Sequence, residues 1–291
     1  MRKIFSLLQY NIVLLSSEND AFMKKILYAC VIIASLASCA DSYSVQGSSS
    51  ISSLDGSKLY LKAIKNNELK SIDSCEVIHG QFRFAGLLDS VRMANLFMDD
   101  HSIMPIVLEQ GEISIRIDNA KQSVEGTPLN DRLYEFIDFH TQLQNELNEL
   151  QHKENQMLLE GIDELTARQQ TLGEANVIAQ REDSLVTHFI IENFDNVLGP
   201  GVFMMLTSGY PYPVLTPQIE EIMSKATANF KNDPYVKDYY RIAQENQARQ
   251  TGLTDDAPVA PTQPVQPLDS IGADSQPQLQ PQVPITNVPQ Q

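Results

Sequence analysis

The chain has 291 residues, with 21 Lys and Arg against 37 Asp and Glu and a net charge of −16. So acidic a surface repels nucleic-acid phosphates and anionic lipid headgroups, and no basic stripe offsets it, which argues against direct nucleic-acid binding. The three cysteines, Cys30, Cys39 and Cys75, stand far apart and form no Cys-x-x-Cys pair.

The first informative element lies near the N-terminus. Residues 1–22 hold an apolar patch at 12–15, but Glu18 and Asp20 stand just ahead of Met23. Acidic residues there suit no targeting signal, so Met23 is read as the true start. From Met23 the order is Lys24 and Lys25, an apolar run over residues 26–36, and then Leu36-Ala37-Ser38-Cys39. A basic start, a short apolar run and small residues before a cysteine make a secretory signal with a bacterial lipobox. The run is too short to span a bilayer, which takes roughly 20 apolar residues.

The reading is therefore a signal over residues 1–38, cleavage before Cys39, and palmitate-type acyl chains on Cys39. It places the protein in the bacterial cell envelope, lipid-anchored to a membrane, with the outer membrane, periplasmic or surface-facing, as the expected site. Cleavage removes Arg2, Lys3, Lys24, Lys25, Glu18 and Asp20, leaving 17 basic against 35 acidic residues, a net −18. The acyl chains, not a polybasic patch, must then hold the membrane. Cys30 leaves with the signal and Cys39 is acylated, so Cys75 has no disulfide partner. Cys75 reads as a small apolar residue in a strand, in preference to a redox or metal thiol.

Residues 39–50 are small and polar and read as a lipidated tether. Residues 51–126 read as an antiparallel β module. Leu59, Leu61 and Ala63 alternate with Lys58, Tyr60 and Lys62; Phe82 and Phe84 flank Arg83 after His79-Gly80; Ile113, Ile115 and Ile117 alternate with Glu112, Ser114 and Arg116. Residues 91–98 and 103–108 supply further strands, and Pro105 marks the latter as an edge strand or a bulge. The expectation is a small sandwich or half-barrel.

Residues 127–248 read as α-helical. Thr127-Pro128 pairs an N-cap with a proline at the first helical position. Leu129, Leu133, Phe136, Ile137, His140, Leu143, Leu147 and Leu150 then follow at helical steps. This face is read as packing, with a partner-binding coiled coil as the alternative. The first helix runs on towards Leu165, a break is placed near residues 171–173, and a second helix ends at Gly199-Pro200-Gly201. Thr216-Pro217 and Asp233-Pro234 announce two more helices. Ahead of them, residues 208–213 form an aromatic, proline-rich loop. The fold class is thus α+β: a β-sandwich-like module, a helical hairpin and short helices, then a disordered Pro/Gln-rich tail over 249–291. That tail holds 8 of the 15 prolines, with Pro258, Pro261, Pro264 and Pro267 at every third residue. The spacing suits polyproline II, as a plain spacer or as a ligand for an aromatic groove.

Chemistry is harder to find. Glu149 and His152 form a single Glu-x-x-His where a di-metal bundle needs two. Asp99-Asp100-His101 is rich in ligand types but falls in a predicted turn, and His188 has no partner motif. Glu182-Asp183 and Glu220-Glu221 are adjacent on helices and diverge. There is no Gly-x-Ser-x-Gly, P-loop or dinucleotide fingerprint. No catalytic, metal or cofactor-binding residue is assigned, and no enzyme activity is expected.

Several pieces in order resemble a known family: Ile72-Asp73-Ser74, Gly80-Gln81-Phe82-Arg83-Phe84, Leu108-Glu109-Gln110-Gly111-Glu112-Ile113, Glu125-Gly126-Thr127-Pro128-Leu129-Asn130 and Glu192-Asn193-Phe194-Asp195-Asn196. Together, over roughly residues 43–241, they resemble domain of unknown function 4369. That resemblance implies an N-terminal module of envelope lipoproteins, often fused to a thioredoxin-like thiol–disulfide oxidoreductase domain. Here the chain runs instead into the proline-rich tail, without a Trp-Cys-x-x-Cys site, so no redox residue carries over. The expected role is a non-enzymatic envelope binding or assembly module, anchored at Cys39, with a protein partner for the tail. The alternatives are an accessory to a separate thioredoxin-like oxidoreductase, or a glycan- or peptide-binding protein with Tyr210 and Tyr212 at its site.

Overall fold

The computed structural model describes residues 41–65 and 68–250. The lipobox with Cys39 and the proline-rich tail lie outside the described residues. Eight strands follow in order: β1 (Ser42–Ser49), β2 (Lys58–Lys65), β3 (Glu68–Glu76), β4 (Gln81–Leu87), β5 (Arg92–Met98), β6 (His101–Leu108), β7 (Gly111–Ile117) and β8 (Gln122–Glu125). They form two four-stranded sheets, β4-β1-β7-β8 and β3-β2-β5-β6. Their apolar faces share one core, to which Val45, Phe84, Ile113 and Ile115 contribute from the first sheet and Leu59, Leu61, Leu96 and Ile106 from the second. The sandwich and its alternating strands match the sequence reading.

The tether reading of residues 39–50 does not hold for most of its length. Ser42–Ser49 is β1, in the middle of the first sheet, antiparallel to β4 and parallel to β7. Tyr43 and Val45 are buried while Ser44 is only partly so and Gln46 is exposed, a period-two pattern that its serines obscure. Gly47 is required by packing, since a Cβ there would lie 2.0 Å from the Phe82 ring. Pro105 sits in β6, which is indeed an edge strand.

The registers give the sandwich two ends. At one end, here called proximal, Ser42 faces Leu87, Tyr43 faces Gly111, and Arg92 faces Leu108. The other, distal end carries the turns before Gln81, His101 and Gln122.

Six helices follow: α1 (Pro128–Leu159), α2 (Glu164–Glu192), α3 (Leu198–Ser208), α4 (Pro217–Lys225), α5 (Ala228–Asn232) and α6 (Pro234–Gln250). The Pro-initiated starts at 128, 217 and 234 are as expected. Two boundaries differ. The hairpin turn lies at residues 160–163, not 171–173: Gly161 takes a positive φ of 88° and the Asp163 carboxylate accepts from the Thr166 N–H at 3.0 Å. Gly173 stays inside α2, where buried Ala167, Thr171 and Ile178 hold one face of the helix in register. Gly199-Pro200-Gly201 opens α3 instead of closing α2. Pro200 falls in the first turn, where a missing N–H costs no intrahelical bond.

The junction of sheet and helix is a buried polar network. Glu109, just past β6, accepts with Oε1 from the Leu129 and Asn130 N–H groups at 2.9 and 3.1 Å. It thereby caps α1 and places a carboxylate at the positive end of the helix dipole. Thr127 occupies the N-cap position but makes no side-chain bond to the helix backbone. Its hydroxyl accepts instead from Asn130 Nδ2 at 2.8 Å. Asn130 also accepts from the Val107 N–H and donates to the Val107 carbonyl, both at 2.8 Å. The Tyr134 hydroxyl donates to the Pro105 carbonyl at 2.9 Å. These bonds satisfy backbone groups on the outer edge of β6, which would otherwise be buried and unpaired. Gly126 (φ 102°) lets the chain turn here, since a Cβ would lie 2.6 Å from the Glu112 carbonyl oxygen.

From this junction α1 runs towards the distal end, where Asp138 pairs with Lys121 at 2.7 Å. Residues 139–159 then carry it about 30 Å further at 1.5 Å per residue. α2 returns alongside, with Glu192 reaching Arg132 at 2.9 Å.

Because Asn130 is fully buried and satisfies both edge groups of Val107, Asn130→Ala is expected to cost about 2–4 kcal/mol. Urea unfolding of wild type and variant measures this, and a loss under about 0.5 kcal/mol, the ordinary scatter of surface changes, contradicts it.

Candidate functional surfaces

Among the described residues no three His, Cys, Asp or Glu side chains converge as a metal site. Glu149 and His152 are exposed on α1. Asp99 and Asp100 occupy the β5–β6 turn as expected and His101 opens β6, with Asp100 3.8 Å from Lys62. His188 Nδ1 lies 2.7 Å from the Ser184 carbonyl within its own helix, and Glu221 pairs with Lys225 at 2.7 Å. The separate motifs stay separate.

Cys75 is half-buried in β3, opposite Leu59 in the strand register. Burial pushes its thiol up, a hydrogen bond from the Arg83 backbone partly opposes this, and the charge of Asp73 adds to the rise. A thiol pushed up in this way is a poor nucleophile at neutral pH. The apolar strand reading of Cys75 fits this environment.

A second polar cluster clamps α1 to α2. Glu182 lies 2.9 Å from His140 Nε2 and accepts from Gln144 Nε2 at 2.5 Å. The His140 hydrogen bond, above all, holds the Glu182 carboxyl below the usual range, while partial burial opposes it. Arg181 and Glu146 add an ion pair at 2.6 Å across the same helices. All these partners bridge helix to helix, so the arrangement orients a hairpin and is not aimed at a reacting atom.

Tyr210 and Tyr212 are half-buried. Their loop is tied to α6: the Tyr239 hydroxyl bridges the Val214 N–H and carbonyl at 3.1 and 3.2 Å, and Asn246 Nδ2 donates to the Pro213 carbonyl at 3.0 Å. Burial pushes the Tyr210 hydroxyl up. An open, polar depression of about 610 Å³ lies on the first sheet, lined by Gln46, Glu112, Ile113, Ser114, Glu125, Gly126 and Asp131. Its three carboxylates disfavour anionic ligands.

Ile72, Ile78, Phe139 and Val177 are exposed singly, and the other exposed large apolar side chains fall in two groups that the sequence reading did not single out. One is the proximal end, with Ile64, Leu69, Leu87 and Val91. The other is the hairpin tip, with Leu158, Leu159, Leu165 and Leu172. Leu165 and Leu172 stand seven residues apart, two helical turns along one face, which is a signal the sequence already holds. No helix among the described residues is long and apolar enough to cross a membrane.

Residues 43–133 match the family described as Domain of unknown function (DUF4369). The match covers the whole β module and ends inside the first turns of α1. It thus contains both halves of the Glu109–Asn130 junction, while the Glu192–Asn196 motif lies beyond it. No curated protein matches the chain.

Two outcomes are expected. Cys75 in the native protein should react with iodoacetamide at pH 7 at least about tenfold more slowly than in urea, read by intact mass. Glu182, with its lowered folded value, contributes stability that is present above the ordinary glutamate range and lost as pH falls through that lowered value. Glu182→Gln should therefore destabilise by about 1 kcal/mol at pH 7, both partners still seeing solvent. The gap should narrow towards pH 3, measured by thermal melts across that range.

Proposed function

We propose that this chain is a lipid-anchored bacterial envelope protein that works by binding and assembly, not by catalysis. In this reading Cys39 carries acyl chains, the β module forms a base close to the membrane, and the α1–α2 hairpin is an arm directed away from it. The observation that carries the reading is positional. β1 begins at Ser42, three residues after the lipobox cysteine, and α1 starts at that same proximal end and runs from it beyond the distal turns. The base is rigid, because the buried network at Asn130 fixes the helix direction relative to the sheet. An outer-membrane location and a protein partner for the proline-rich tail belong to the same proposal.

The second reading is an accessory to a separate envelope thioredoxin-like oxidoreductase, motivated by the family resemblance alone. The raised thiol of Cys75 weighs against a direct thiol role for this chain. A small-ligand role at Tyr210 and Tyr212 is weakened by the bonds that tie their loop to α6.

Intact mass of protein extracted from bacterial membranes tests the anchor. The expected species starts at Cys39 and carries acyl chains, and Cys39→Ala should move the protein out of the membrane fraction. An unmodified chain retaining Met23 contradicts the anchor. Crosslinking in intact cells, with and without residues 251–291, tests assembly. A partner lost with the tail supports the proposal, and the absence of any specific partner in both forms counts against it.

A further inference from the structure

The proximal end of the β module is made of turns, and it exposes apolar side chains among its charged ones. Leu87, at the end of β4 and opposite Ser42, is 78% exposed. Val91 follows it across the β4–β5 turn. Ile64 and Leu69 face each other as a cross-strand pair near the tip of the β2–β3 hairpin, and both are exposed. Lys65 reaches Asp89 at 3.8 Å, so the end of β2 and the β4–β5 turn lie side by side at this end of the sandwich. Burying these four side chains would remove apolar area from water, yet no element of the described chain covers them.

The charges on these turns differ from those of the rest of the molecule. Lys65 and Arg92 both meet Asp89, and Lys70 meets Glu68 at 3.0 Å. With exposed Asp41 beside Ser42, three cations meet three carboxylates, a balanced patch on a chain of net charge −16. Long Lys and Arg stems can lie along apolar surface while their charged heads stay in water. The carboxylates of Glu112 and Glu125 belong instead to the face of the first sheet, Glu112 standing opposite Ser44.

Chain length decides what can cover this end. From Cys39 to Ser42 there are three residue steps, at most about 11 Å of extended chain. A headgroup layer is about 5–8 Å thick. If Cys39 carries acyl chains, Ser42 and its neighbour Leu87 are held within about 11 Å of the acylated residue, at the headgroup layer or a few ångströms outside it. An end with exposed apolar side chains and balanced charges, on an otherwise strongly acidic chain, is what such a boundary accommodates.

We propose that the proximal end of the β module beds in the bilayer that holds Cys39, with Leu87, Val91, Ile64 and Leu69 entering the headgroup–acyl boundary. The proposal rests on the anchor reading above and deepens it. The protein is then held at a lipid and at a protein contact. This limits its tilt and sets the helical hairpin upright, with Leu159 at the far end.

The chain has no tryptophan, so a single introduced one reports without background. Leu87→Trp and Leu159→Trp replace exposed side chains and should leave the fold intact, checked by matching far-ultraviolet circular dichroism. Each full-length variant is extracted from membranes, weighed for acylation, and reconstituted in vesicles of phosphatidylethanolamine and phosphatidylglycerol with and without brominated acyl chains. The expected result is blue-shifted emission and loss of intensity in brominated vesicles for Leu87→Trp, with water-like, unquenched emission for Leu159→Trp. Acylated protein whose Leu87→Trp emission stays water-like overturns the bedding and leaves the anchor standing. Quenching at both positions overturns the upright orientation. A blue shift at Leu87→Trp that needs no lipid and grows with protein concentration overturns it in favour of self-association. Selective quenching of Leu87→Trp in unacylated protein supports the bedding while removing the anchor.

Discussion

Asn130 is the side chain on which both halves of this structure depend. β6 is an edge strand buried along nearly its whole length, so its outward backbone groups have neither a strand nor water to pair with. Asn130 supplies a donor and an acceptor to Val107, and Tyr134 supplies a donor to the Pro105 carbonyl. Pro105 has no N–H of its own to satisfy, which makes it suited to that edge. In return Glu109 satisfies two of the first N–H groups of α1. Neither element could be buried without the other: the strand edge needs the helix side chains, and the helix start needs the carboxylate beyond the strand. The exchange also sets the direction of α1, since bonds at Val107 and Pro105, four residues apart on the helix, fix its path along the strand edge.

A fixed helix direction turns a small sandwich into a base with an arm. The arm is held by contacts along its length: Phe136 against Phe189 at 4.3 Å, then the His140–Glu182 clamp, then Lys153 with Glu174 at 3.1 Å. Aromatic packing lies near the sheet, beside the Arg132–Glu192 pair, and further ion pairs follow towards the tip. That order suits a hairpin that leaves the core for solvent, where packing area declines and surface pairs contribute little stability but hold register. The opposite end of the sandwich keeps its apolar turns uncovered. The two exposed apolar groups are thus separated by the length of the molecule, one at the chain's entry and one at the hairpin tip.

The alternation of Leu59, Leu61 and Ala63, of Phe82 and Phe84, and of the three isoleucines in β7 was legible because side chains on a strand change face at every residue. The proline-led helix starts were legible because each follows from one local preference. β1 was missed because its alternation is carried by Tyr43, Val45 and a glycine among serines, and its burial depends on Phe82 filling the space above Gly47. The hairpin turn was misplaced because Gly173 looks like a breaker locally, while the buried face of α2 holds the helix through it. Glu109 and Asn130 were visible only as letters in two short motifs 21 residues apart, with nothing local to say that they meet.

Period and local capping, which depend on neighbouring residues alone, were therefore determined by the sequence: a β module and a switch to helix at Thr127-Pro128. The tertiary structure decided which strands are neighbours, that β1 lies parallel to β7, where α1 points, and which leucines remain uncovered. Those depend on contacts between residues far apart in the chain, and no local preference encodes such a distance. The polar groups of a buried edge must find partners wherever the fold brings them, and here that requirement joined sheet to helix.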